Sequence, residues 1–276
     1  MTDSPEQAQI EAATAYQSLF VPALFEQWCG KVADAARIGA GQRVLDVACG
    51  TGVLARHVAR HVGARGAVTG LDANPGMLEV ARRNGPGIRW LSGRAESLPL
   101  ENGSFDAVVS QFGLMFFDEP ARAVREMLRV LTPGGRMAVA VWDSLEHNPL
   151  FAAEVDLLAS IAGQAAADAL RAPFALGDRN MLNKIFDDAG ASAIDIATLP
   201  GKARFPSVRV VLEADIRGWL PMVGVPLSES TIERVLAAAD SALAGYVSPA
   251  EKGIEFDLSA HVVSAIKGVP TADSSS

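Results

Sequence analysis

The stretch RVLDVACGTGVLA, beginning at Arg43, limits the possible folds more than any other part of the chain. A short apolar run (43–47) passes through five small residues into an amphipathic stretch. This spacing predicts a buried strand, a tight turn, and a helix from 52 to about 62. Gly50 and Gly52 let backbone come close to a ligand and supply dihedrals that other residues resist. The helix start that follows presents unpaired N–H groups. A buried strand running directly into a helix needs parallel neighbours joined by crossovers, and the next hundred residues provide them.

Strands are expected at 67–71, 88–91, 105–110 and 136–142, the last opened by a turn at Pro133-Gly134-Gly135. Helices are expected at 75–84 and 119–131 between them. Upstream, 4–38 reads as helix, with Ser4 as cap, Pro5 in the first turn, acidic Glu6 after it, and Pro22 as a break. After Trp142 helical patterns dominate at 149–163, 178–190, 207–220 and 228–244, with strands near 193–199 and 254–266. The tail 271–276 carries no structural signal. Alternating strands and helices imply a parallel sheet covered on both faces. The expected organisation is one domain over 1–276. It divides into an N-terminal helical lid (about 1–40), a core (about 41–142), helical insertions (about 143–250) and a final strand (about 251–270).

Composition narrows the partners. Apolar residues make up 49% of the chain and its formal charge is −8, with no basic stripe. Such a surface offers a nucleic-acid backbone little to hold, so small molecules are the expected partners. No window reaches the roughly 18 uninterrupted apolar residues of a membrane span. The start MTDSPEQAQIEAA lacks the basic and apolar segments of a signal peptide, and two cysteines make no disulfide framework. These features predict a cytoplasmic protein that does not enter the membrane.

Gly50-x-Gly52-x-x-Ala55, with Asp72 twenty residues past Gly52, fits the dinucleotide fingerprint, so an NAD-dependent oxidoreductase is one reading. Asp46 argues against it. A pyrophosphate over this turn would be repelled by a carboxylate at the strand end, whereas a ligand carrying ammonium and sulfonium charges would be held.

The segment VLDVACGTG resembles the first motif of the class I S-adenosylmethionine (SAM)-dependent methyltransferases, and further motifs follow in order. VTGLDANPGMLEVAR, SGRAESLPL, SFDAVVSQFG and LRVLTPGG each resemble a later motif of that family. The resemblance covers about 40–142 and implies an α/β, Rossmann-like, seven-stranded, mostly parallel sheet with helices on both faces and a helical lid over its carboxyl edge. It further implies an antiparallel last strand inserted beside the sixth. The small-molecule branch of the family is the one the charge and the apolar second half suit. For the cofactor the resemblance implies contacts from Asp46, Ala48, Gly50 and Gly52 at the turn, and from Asp72 and Ala73 at the ribose. Met77 is implied on the adenine face, Ala95 or Glu96 at the adenine edge, and Ser110 and Gln111 beside the methionyl end. Relatives carry Gly at the position of Ala48, an added methyl expected to be tolerated. They carry an aspartate at Arg94; arginine has no acceptor, so either Glu96 takes the adenine amino group or the Ala95 N–H alone fixes the ring.

The reaction expected is in-line transfer of the SAM methyl to a small apolar acceptor, leaving S-adenosylhomocysteine. Tyr16, Phe112, Met115 and Trp142 are candidates for the acceptor pocket. His147 is the one candidate base, set against an idle loop histidine. No metal is expected: His57 and His61 lack a third ligand and read as a solvated face. Cys49 reads as a packing residue. A SAM-binding protein of this fold that transfers no methyl is the remaining alternative.

Overall fold

The computed structural model describes residues 5–268. The Ser4 cap and the tail 271–276 lie outside them. The chain resolves into two compact units, one made of residues up to 141 with 179–197 and 261 onward, the other of 142–178 and 198–260.

The first unit is built on a sheet whose strands are β1 (Arg43–Val47), β2 (Ala67–Asp72), β3 (Arg89–Ser92), β4 (Phe105–Gln111), β5 (Leu131–Trp142), β6 (Ser192–Phe205), β7 (Ser248–Ala250) and β8 (Gly253–Ile266), of which β7 belongs to the second unit. Their order is β3-β2-β1-β4-β5-β8-β6, with β7 paired to β8. The first five pair in parallel. The Gly134 N–H donates to Lys267 and the Lys267 N–H to Gly135, while Asp143 donates to Ser259. Numbers rise on β5 as they fall on β8, so β8 is antiparallel to it. This is the expected mixed sheet, with the last strand inserted beside the sixth. The units divide β5, β6 and β8 between them.

Helices α1 (Pro5–Phe20), α2 (Cys29–Ala35), α3 (Val53–Val62), α4 (Pro75–Asn84) and α5 (Pro120–Val130) belong to this unit, as does α8 (Arg179–Asp188). Their boundaries follow local chemistry. Asn74 caps α4 by accepting the Gly76 and Met77 N–H groups, with Pro75 in its first turn. Leu54, Ala55, Val58 and Val62 form the buried stripe of α3, while its arginines and histidines lie on the other side. Pro22 does break the first helix, and it does so by widening it. Without an amide hydrogen, Pro22 sits in a π-helical turn, Val21–Phe25, followed by a tight turn, Glu26–Trp28, before α2 resumes.

Pro133-Gly134-Gly135 proves to be a bulge within β5. Between paired positions, β4 advances from Phe105 to Ala107 while β5 advances from Leu131 to Arg136. Gly134 takes a φ of 75° there.

The second unit is helical: α6 (Pro149–Ile161), α7 (Gln164–Arg171), α9 (Val208–Ala214), a π-helical turn (Asp215–Trp219), α10 (Leu220–Met222) and α11 (Glu229–Leu243). Its core is aliphatic, with Leu158, Leu212, Ile216, Leu220, Val235 and Leu243 fully buried. The sequence merged α9, the π-turn and α10 into one helix and overlooked α7 and β7. No helix among the described residues is long and apolar enough to cross a membrane.

Candidate active site

The site forms where β1 ends. Asp46 is 1% exposed and lies in register between Gly70 of β2 and Val109 of β4. Beyond it the backbone turns left-handed at Ala48 (φ 56°), Gly50 (φ 54°) and Gly52 (φ 82°), and Gly52 caps α3. The Gly52 N–H donates to the Cys49 carbonyl at 2.8 Å and closes the turn. For Ala48 the methyl carries a cost the sequence reading passed over, since a side chain at positive φ is strained by ~1–2 kcal/mol. The methyl also needs room. A Cβ on Gly113 would lie 2.6 Å from that of Ala48, so the one substitution is tolerated because the other position is bare.

Asp72 ends β2 with both oxygens engaged. Oδ2 accepts the Gly50 N–H at 2.8 Å and Oδ1 accepts the Asn74 N–H at 2.8 Å. One carboxylate thus ties the glycine turn to the turn that starts α4. Burial raises its pKa, and the amides of Asn74, Gly50 and Ala73 oppose that rise. Each oxygen keeps a second lone pair for a ligand hydroxyl.

Around the turn is a small cleft, lined by Tyr16, Asp46, Ala48, Gly50, Thr51 and Gln111 among others. Of the lining atoms, both oxygens of Asp46, Thr51 Oγ1 and Gln111 Oε1 are buried without a hydrogen-bond partner among the described residues, as is Ser110 Oγ next to Gln111 in sequence. Burial pushes the Asp46 carboxyl up to about 8. The Ala55 amide eases it without reaching hydrogen-bond geometry, the Asp72 charge adds to the rise, and Arg56 opposes it. Gln111 donates its amide to the Phe25 carbonyl, leaving its oxygen for the cleft. Acceptors at Asp46 and Gln111 beside hydroxyls at Thr51 and Ser110 match an amino-acid end, with an ammonium for the first pair and a carboxylate for the second.

The other residues expected at the cofactor lie after β2, in α4 and after β3. Met77 is half-buried in the first turn of α4, and Ala73 is exposed next to Asp72. Ala95 is buried. Glu96 is also buried, but its Oε1 accepts the Asp118 N–H at 3.0 Å, so that oxygen is already at work in the fold. Arg94 turns outward, is mostly exposed, and pairs with Asp118 and Glu96.

Helix α1 packs on the start of α4, where a Cβ on Gly76 would meet the Gln9 carbonyl carbon at 2.6 Å. Tyr16 faces the cleft from α1, stacked on Phe25 at 5.3 Å, and Phe25 meets Phe112 at 5.5 Å. Burial, then the Asp72 charge, raises the Tyr16 phenol, which stays protonated. Phe112 holds a φ of 57° and packs edge-on against Trp28. Met115 is half-buried nearby in sequence. Trp142 is in the second unit and packs near Phe174, with ring centres 6.4 Å apart.

His147, also in the second unit, is largely exposed. Its Nδ1 is 3.2 Å from Asp143 Oδ1, and the other Asp143 oxygen accepts the Ser259 hydroxyl at 2.7 Å. The buried acid orients the ring, an arrangement a base requires. His57 and His61 stack at 4.5 Å, and no group of three or more candidate ligands for a metal occurs among the described residues. Burial raises the Cys49 thiol, which keeps it inert.

Two contributors escaped the sequence reading. Arg56 donates to the Thr51 carbonyl at 2.6 Å and braces the turn. Trp90 on β3 lays its indole across Gly70 to Gly52, where any added Cβ would come within 2.3 Å of it, and its Nε1 donates to the Gly85 carbonyl at 2.9 Å. Only the pairing of β3 with β2 could have revealed this, because nothing in local sequence marks it.

Residues 45–139 match the model of a methyltransferase domain. The chain is 46% identical over 123 residues to a demethylmenaquinone methyltransferase of Renibacterium salmoninarum, covering 45% of this chain and 51% of the relative. To the demethylmenaquinone methyltransferase of Staphylococcus haemolyticus it is 33% identical over 194 residues, covering 64% of this chain and 81% of the relative. The chain spans about half the length of several relatives it matches. In fold it is similar to the phosphoethanolamine N-methyltransferase 2 of Haemonchus contortus solved with S-adenosyl-L-methionine. That likeness has a TM-score of 0.60 at 17% identity, over 94% of this chain and 57% of the other. The strand, the left-handed turn and the acid that ties it down are those of a larger group: the chain belongs to the class I SAM-dependent methyltransferase family.

Proposed function

We propose that the chain binds SAM in the cleft at the end of β1 and transfers its methyl group to a small, apolar, ring-bearing acceptor of the quinol type. The observation that carries the reading is Asp46, a carboxyl buried without a hydrogen-bond partner among the described residues, in a cleft that also presents Thr51 and Gln111. Such a group calls for a cationic ligand and disfavours a pyrophosphate, so the dinucleotide reading loses ground. The acceptor class rests on the names of the relatives, demethylmenaquinone methyltransferases among them.

When bound, SAM supplies an activated methyl on a sulfonium leaving group. In this reading Asp46 and Gln111 hold the ammonium, Thr51 and Ser110 the carboxylate, and Asp72 the ribose hydroxyls. The Ala95 N–H reads the adenine edge, since Glu96 is engaged with Asp118 and Arg94 faces solvent. Met77 and Ala73 border the ring. Tyr16, Phe112 and Met115, all of the sheet unit, are proposed as acceptor contacts. The two cysteines are free thiols, in keeping with a cytoplasmic setting.

The test is incubation with SAM and a reduced naphthoquinone, following S-adenosylhomocysteine and the methylated ring by mass spectrometry. Both products appearing together supports the reading. SAM binding without either product, across a panel of phenols and quinols, would remove the transfer and leave a binding protein.

A further inference from the structure

The helical unit hides two carboxyls that the proposed reaction does not use. Glu154, on α6, is fully buried, and Asp215, opening the π-helical turn after α9, is 7% exposed. Glu154 Oε1 and Oε2 and Asp215 Oδ2 meet no N–H or O–H from any other of the described residues. Their surroundings are the aliphatic core of the unit, with Val155 and Leu158 from α6, Leu212 from α9 and Ile216 from the π-turn. Two ionised carboxylates in such a medium would repel each other with nothing to offset the loss of water. Buried acids of this kind are normally answered by a nearby cation.

Here every cation on the packed elements is turned elsewhere. Arg171 of α7 pairs with Asp168, Arg209 of α9 with Glu213, and Arg217 of the π-turn with Glu229 in a two-pronged bond. Arg234 of α11 donates to the Ile161 carbonyl. His147, ahead of α6, is bound to Asp143. The remaining acids of these elements, Glu146, Asp156, Glu233 and Asp240, are exposed. A proton is the one cation left that can join the pair.

We propose that Glu154 and Asp215 form a proton-held fastening between α6 and the π-turn, so that the helical unit is closed while the pair shares a proton and loosens when alkaline conditions remove it. Glu154 carries the proton and donates it to the Asp215 carboxylate. Burial first, then the Asp215 charge, holds the Glu154 proton well above the usual carboxylate range. Asp215 is pushed up to about 7 by burial and partly relieved by the bond from Glu154. In an unfolded chain both would titrate near ~4. Folding therefore takes up protons, and the stability they confer is complete below pH ~4 and falls as pH rises through the folded-state values. A π-helical turn at the joint suits the role, since such turns mark places where a helix trades regularity for a task.

The test is backbone hydrogen exchange on the full chain from pH 5.5 to 8.5, corrected for the intrinsic pH dependence of exchange. In the wild type, protection of α6 and α9 amides should fall about tenfold per pH unit for each proton the fold still holds, while β1 and β4 keep their protection. In Glu154→Gln, an amide that donates to Asp215 without titrating, the slope should flatten and protection at pH 8 should equal or exceed that of the wild type. A wild-type protection that does not vary with pH, or the same slope in Glu154→Gln, overturns the proposal. Asp215→Asn serves as the second variant should the first fail to fold. If both variants lose protection at every pH, the pair is an ordinary structural contact and the fastening is refuted.

Discussion

Asp46 in the sheet unit and Glu154 with Asp215 in the helical unit pose the same electrostatic problem, and the two regions resolve it differently. Each is a carboxyl removed from water and without a hydrogen-bond partner among the described residues. Asp46 borders an open cleft, so a ligand can complete its charge. Glu154 and Asp215 lie in a closed aliphatic core where only a proton can. A buried acid is therefore informative chiefly through what surrounds it: donors and free space point to binding, a dry core to proton storage.

The largest expected effect probes the ligand side of this contrast. Asp72→Ala removes the proposed ribose contacts and also releases Gly50, so SAM affinity should fall about thirty- to a hundred-and-fiftyfold, in line with ~2–3 kcal/mol for hydrogen bonds to a charged group. Titration calorimetry reads this directly, and affinity within threefold of wild type would break the cofactor map.

Next in size is the pH response of the same site. The free cleft holds Asp46 protonated up to about pH 8, and a bound cation favours the ionised form. Binding must then release a proton, and affinity for SAM should rise by up to about tenfold per pH unit from 6 towards 8 and level off above. Asp46→Asn should show no such slope. A wild-type affinity independent of pH would place the cation elsewhere. The helical unit should respond with the opposite sign, losing stability over the range in which the cleft gains affinity.

A smaller effect concerns packing. Gly113→Ala forces a methyl against that of Ala48 and should cost ~1–3 kcal/mol, measured by chemical denaturation. Combining it with Ala48→Gly should recover most of that loss; independent, additive costs would show that the two positions are not coupled. Ala48→Gly alone relieves the left-handed strain and is the smallest change, a gain of about 1 kcal/mol.

What the sequence revealed follows the range of the forces involved. Local chemistry set β1 and α4 to the residue, because an apolar run and an Asn-Pro cap act within a few positions. The Pro-Gly-Gly of β5 was misplaced because a bulge is defined by the partner strand. Helix α7 was missed because Gly163 breaks the pattern and QAAADALR offers mostly alanine to mark its buried side. Asp46 and Asp72 were legible through their spacing from the glycines, yet the bond from Gly50 to Asp72 spans twenty-two residues and left no trace. The Glu154–Asp215 pair is more distant still. In sequence Glu154 is one acid in an amphipathic-looking helix, and only packing shows that it points inward.

Trp90 lends itself to a use outside the chemistry. Its indole touches the glycine turn and is pinned at its nitrogen to the end of α4, so it is a fixed chromophore against a part that must accommodate a ligand. The chain has four tryptophans, and replacing Trp28, Trp142 and Trp219 with phenylalanine would leave this one as the sole emitter. Its emission would then give an optical record of the turn in real time, without any label attached.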